Sequence, residues 1–199
     1  MARTISIGRQ DFERIRTSDN FYIDKTDFIR QWWEADDDVT LITRPRRFGK
    51  TLNMSMVEQF FSVDFAGRED LFAGLSIWEE EKYRHLQGTY PVISLSFADV
   101  KENTYQETRR KISEIIMDLY NRFDFLAESE KLNENERRIY CQFATGTGER
   151  TETGALKTLS GLLMRHYGKR VIILLDEYDT PMQEAYIEGY WDELVAFTR

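Results

Sequence analysis

Residues 171–175, Val-Ile-Ile-Leu-Leu, form an unbroken apolar run with three β-branched members. Such a run reads as a strand covered on both faces, as in a parallel sheet between helices. It leads into Asp176 and Glu177, so the whole stretch is VIILLDEYD. Beside a bound phosphate chain, a carboxylate just past a buried strand can hold a magnesium shell, and the next carboxylate can polarise a water for attack on a γ-phosphate. The same two acids can also merely solvate the end of a strand.

A second stretch decides between these uses. Residues 41–51, LITRPRRFGKT, predict a strand over 39–43, a cationic turn, and a helix carrying Leu52, Met56, Phe60 and Phe61. A phosphate-binding loop has this order, because the N–H groups and positive end of a helix face an anion while a lysine reaches along the phosphates. Lys50 supplies the charge and Thr51 a hydroxyl for magnesium. The pattern G-x-x-x-x-G-K-[ST] has Arg44 in place of its first glycine, and Pro45 drives Arg44 toward extended angles. Taken alone, the stretch also fits an ordinary strand-to-helix turn with exposed cations. Paired with the second strand ending in Asp-Glu, it reads as the Walker A and Walker B halves of a nucleotide site. The loop candidates are Arg46, Arg47, Phe48, Gly49, Lys50, Thr51 and Leu52. Thr51 and Asp176 are the candidate magnesium ligands, and Glu177 and Lys50 the candidate catalytic groups.

Composition narrows the class. The 199 residues suffice for one sizeable core, 41% are hydrophobic and 31% charged, and the net charge is −8. That balance argues against indiscriminate nucleic-acid binding, although Arg44, Arg46, Arg47 and Lys50 form a local basic patch. No apolar run approaches the roughly 20 residues of a membrane helix and the N-terminus lacks an apolar signal core, so a cytoplasmic location is the expectation. Cys141 is the single cysteine, which excludes an internal disulfide and is expected to be a small buried side chain. His85 and His166 have no metal-ligand spacing and read as structural or surface residues.

Along the chain, Phe12 and Ile15 mark a short helix, and Phe28, Ile29, Trp32 and Trp33 share one face of another. Asp36, Asp37 and Asp38 read as a solvated turn. Residues 92–97, VISLSF, predict a strand, and Asp99 after it a turn or helix cap. Apolar periodicity marks helices over about 105–125, 133–143 and 156–167, with a loop at 144–154 and Gly168 ending the last of them. Thr180-Pro181 looks like a cap followed by proline at the first helical position, which makes Asp179 helix-start chemistry rather than catalysis.

FYIDKTDFI, TRPRRFGKTLNMSM, PVISLSF and LLDEYDTPM together resemble the bacterial AAA-ATPase-like proteins, from about Phe12 to the last residue. The arginine at position 44 agrees with that family's own pattern. By this resemblance Gly49, Lys50 and Thr51 correspond to the nucleotide loop, and Asp176 and Glu177 to the magnesium and water-activating acids. The resemblance implies ATP and Mg2+ as cofactors, and an ATPase region usually longer than this chain, followed by a domain similar to PD-(D/E)XK nucleases.

The expected fold is α/β, a P-loop NTPase parallel sheet with helices on both faces. Residues 1–38 are expected as a helical cap and 39–199 as the core, truncated at its C-terminus with an incomplete sheet. Such a piece is expected to be poorly soluble or self-associating, with weak ATPase activity. The expected function is ATP binding with magnesium-dependent hydrolysis that switches or drives the downstream domain. A nucleotide-gated scaffold without significant hydrolysis and an anion- or nucleic-acid-contacting module are the alternatives.

Overall fold

A computed structural model describes residues 8–18, 20–43, 48–147 and 152–198. The chain divides into two units, Met1–Val92 and Ile93–Arg199.

In the first unit α1 (Phe12–Thr17) starts where Asp11 Oδ1 accepts from the Arg14 N–H at 3.0 Å. Helix α2 (Asp27–Ala35) follows, and α3 (Lys50–Phe61) is the unit's central helix. Phe12, Ile29, Met56, Phe60, Phe61 and Phe72 are fully buried. Their rings interlock: Phe60 lies edge-on to Phe61 and Phe72, and Trp33 stacks on Phe61 at 5.4 Å. Each such pair adds about 0.5–1.5 kcal/mol beyond the area it buries. The Phe12 N–H donates to Ser55 Oγ at 3.1 Å and the Tyr22 hydroxyl reaches Met56 Sδ at 3.2 Å, so the N-terminal residues pack directly on α3. After several 3-10 turns and the short α4 (Glu81–Arg84), the chain returns beside the end of α3. There Gly88 N–H donates to Phe60 O and Tyr90 N–H to Phe61 O, each at 2.8 Å. Gly88 has φ 67°, and a Cβ on it would lie 2.5 Å from Ala66 Cα. Only glycine allows this approach.

Strand β1 (Val92–Ser96) leads into the second unit and pairs with β2 (Ile172–Asp176) in a two-stranded parallel sheet. Between them lie α5 (Tyr105–Asn121), α6 (Glu134–Thr145) and α7 (Ala155–Tyr167). Thr104 caps α5, and Asn133 with Glu136 forms a capping box on α6. Gly168, at φ 69°, ends α7 in the left-handed conformation that glycine adopts freely. The core joins Ile93 and Leu95 to Leu119, Tyr120, Leu159 and Leu163. Its buried tyrosines are satisfied: Tyr120 donates to Ala155 O at 2.8 Å and Tyr140 to Tyr120 O at 2.9 Å. Burial pushes the Tyr140 hydroxyl up to about 12. Helices α8 (Thr180–Glu188) and α9 (Trp191–Thr198) close the unit around Ala185, Tyr190 and Leu194.

The structure corrects several sequence expectations. Residues 39–43 form no strand; Val39 is 87% and Leu41 62% exposed. An apolar β-branched run becomes a strand only where another strand takes up its peptide groups, and no strand pairs with this one among the described residues. Strand β2 is not covered on both faces, since Ile173 and Leu175 are exposed and only Asp176 is buried. Among the described residues β2 pairs with β1 alone, and the alternate side chains Ile173 and Leu175 are left 42% and 38% exposed. Cys141 is exposed, because α6 turns Tyr140 and Phe143 inward and leaves the position between them outside. The cap of α8 is Asp179 rather than Thr180, which is already helical, and Pro181 follows at the start of the helix. The loop expected at 144–154 is partly taken up by helix, and its residues 148–151 lie outside the described residues.

Candidate functional site

Gly49 is the N-cap of α3, with φ 75° and ψ 27°, and Lys50 is the first helical residue. A left-handed residue here re-aims the chain so that a 12-residue helix begins directly after it. The helix has neither a side-chain cap nor an acid in its first turn. Its positive end is therefore not neutralised from within, which is the electrostatic condition for holding an anion. Lys50 is half-buried and has no ion-pair partner among the described residues. Thr51 and Leu52 are half-buried in the same turn, and Phe48 before it is 62% exposed. Arg44, Pro45, Arg46 and Arg47 lie outside the described residues, so the roles expected of Arg46 and Arg47 have no geometry.

Two features beside this loop were not singled out from the sequence. Lys25 brings its Nζ to 3.7 Å from the point where a Cβ on Gly49 would stand. Asn53 is 2% exposed, and its Oδ1 has no hydrogen-bond partner among the described residues. Three residues after Lys50, it lies on the same side of α3. The GKT pattern gives no hint of Lys25, which is distant in sequence, although the quoted YIDKT stretch contains it.

The candidate acids belong to the second unit. Asp176 ends β2, buried to 9% exposure, and its carbonyl accepts from the Phe97 N–H at 3.0 Å across the sheet. Its Oδ1 accepts from the Glu177 N–H at 3.1 Å. Glu177 has φ 50°, a left-handed conformation uncommon for a residue with a Cβ, and is half-buried. Strain of this kind, about 1–3 kcal/mol, persists where the surroundings impose it, and it concentrates at functional sites. The Glu177 carbonyl accepts from the Thr180 N–H at 3.0 Å, so the turn runs straight into α8. Asp179 is engaged by Gln183 Nε2 at 2.6 Å, consistent with a helix-start role.

Among the described residues no three His, Cys, Asp or Glu side chains gather as a metal cluster would require. A magnesium ion bound chiefly by phosphates and water needs only one or two protein oxygens, and the hydroxyl of Thr51 and carboxylate of Asp176 are hard-oxygen donors of that type. Among the described residues, no helix is long and apolar enough to cross a membrane.

No solved structure matches the chain. A curated relative, the "Uncharacterized protein in vnfD 5'region" of Azotobacter chroococcum mcd 1, is 31% identical over 183 residues. The alignment covers 90% of this chain, which spans 30% of that relative's length. The family model described as "Predicted AAA-ATPase" matches residues 6–199. The chain therefore belongs to the AAA-ATPase-like family.

Proposed function

We propose that the chain binds ATP through the loop ending in Gly49, Lys50 and Thr51, and that it hydrolyses ATP with Mg2+. The observation that carries this reading is the start of α3: a left-handed glycine, then a lysine without an ion pair among the described residues, on a helix with no acid in its first turn. Lys50 binds and orients the phosphate chain as a point charge. Thr51 and Asp176 would hold the magnesium, which when bound neutralises charge on the transferring phosphoryl group. Glu177 accepts a proton from the attacking water, as the base in the step that releases phosphate. Its backbone is held at φ 50° and the Thr180 hydroxyl lies 3.5 Å from its Oε2, which supports an ordered position for this carboxylate. Arg46 and Arg47 are proposed as further donors to phosphate oxygens. Hydrolysis would switch or drive a longer polypeptide, for which a nuclease-like downstream domain is the proposed partner.

Phosphate release by the parent chain and by Glu177→Gln, each with ATP and Mg2+, tests the assignment. A loss of on the order of 100-fold or more in rate with ATP affinity kept is the expected result. Equal rates would remove Glu177 from the chemistry. Tight binding with negligible release by both proteins would favour a nucleotide-gated scaffold instead.

A further inference from the structure

We propose that Lys25 is a second phosphate-binding cation, delivered to the loop from the turn that precedes α2. The inference rests on the nucleotide reading of Gly49 to Thr51 and adds a residue that the loop motif does not contain.

In the turn Asp24-Lys25-Thr26 the outer residues hold the backbone. Asp24 Oδ1 accepts from the Thr26 N–H at 2.8 Å and from the Thr26 hydroxyl at 2.7 Å. Its Oδ2 accepts from the Ser76 N–H at 2.7 Å. Thr26 is fully buried, and its Oγ1 accepts from the Ile77 N–H at 3.2 Å and lies 3.0 Å from Ser76 Oγ. These bonds tie the turn to a segment 50 residues away and fix the position of the residue between them. That residue, Lys25, makes no ion pair among the described residues, and its Nζ lies 3.7 Å from where a Gly49 Cβ would be.

Lys25 and Lys50 therefore both stand at the positive end of one helix without an ion pair among the described residues, in a chain of net charge −8 that has carboxylates in excess. Two ammonium groups at a helix N-terminus repel each other and oppose the helix dipole. A phosphate chain reverses the sign of both effects. Gly49 also gains a second meaning: besides its left-handed φ, the absence of a side chain leaves room beside the Lys25 ammonium. Asn53 Oδ1, buried on the Lys50 side of α3 without a partner among the described residues, is an acceptor that a water ordered by the ligand can satisfy.

The test is calorimetric titration of ATP into the parent chain, Lys25→Met and Lys25→Arg, at low and high salt, with a thermal melt of each. The expected result is a loss of on the order of tenfold to a hundredfold in affinity for Lys25→Met, the weight of one charge-assisted contact. Its melting temperature stays close to the parent's, and the salt dependence of binding becomes shallower because one cation fewer is screened. Lys25→Arg stays within a few-fold of the parent. Parent-like affinity for Lys25→Met would overturn the inference while leaving the loop assignment standing. So would a loss of affinity that comes with a matching loss of melting temperature and is not rescued by arginine. Absence of ATP binding by the folded parent itself would overturn the loop assignment and this inference together.

Discussion

Glu177 donates its backbone N–H to the Oδ1 of Asp176 at 3.1 Å while holding φ at 50°. The bond orients one carboxylate, and the left-handed angle that permits it turns the chain out of β2 toward α8. Asp176 is buried at the sheet end, and Glu177 stands in a conformation that costs energy to keep.

Glu177→Gly follows from that angle. Glycine adopts positive φ without the penalty a Cβ incurs, so the variant is expected to melt at or above the parent temperature, with a gain of up to about 1 kcal/mol, and to lose phosphate release. A melt several degrees lower would assign Glu177 to fold stability instead.

Gly88→Ala tests the close approach in the first unit. The new Cβ would meet the Ala66 backbone at 2.5 Å, and φ 67° would remain strained for alanine. A loss of about 2–4 kcal/mol in a denaturant titration is expected. A change below 0.5 kcal/mol would mean that the segment shifts without cost.

Asp24 gives a pH signature. Burial alone pushes its carboxyl up, but bonds from the Ser76 N–H and from Thr26 outweigh it, and the group lies below the ordinary aspartate value. A depressed folded value stabilises the protein fully above about pH 4 and loses that contribution as pH falls through the folded value. Asp24→Ala is expected to cost about 1–3 kcal/mol at pH 7, where it leaves the Ser76 N–H without its acceptor. The gap from the parent should narrow in melts below pH 4. A constant gap across pH 3–7 would contradict the ionised role.

Much of the helical framework was legible because its signals are local. Gly168 after an apolar period ends α7, Gly49-Lys50 opens α3, and the β-rich run after Pro91 becomes β1. What escaped is tertiary or lies in single angles. Residues 39–43 have the composition of a strand, but composition does not supply a pairing neighbour. The exposed alternation of β2 depends on what covers the sheet, not on its own apolar residues. Nothing in glutamate as a residue type announces a left-handed angle at 177, and nothing in YIDKT announces that its lysine meets Gly49. A fold with three strands was therefore expected where two are paired.

The cationic loop offers a separate test. Arg46→Ala and Arg47→Ala are each expected to weaken ATP binding by about tenfold if the guanidinium donates to phosphate, in fluorescent-analogue titrations. Unchanged affinity in both would confine the cationic contacts to lysine.

The central claim is that the start of α3 binds a nucleoside triphosphate, and the most direct measurement is calorimetric titration of ATP into the parent chain and into Lys50→Ala. Lys50 is half-buried, makes no ion pair among the described residues, and is not one of the buried core residues. Binding by the parent, and its loss in a variant whose thermal melt is unchanged, is the predicted result. Equal ATP affinity in the two proteins, or no binding by a folded parent, would contradict the account.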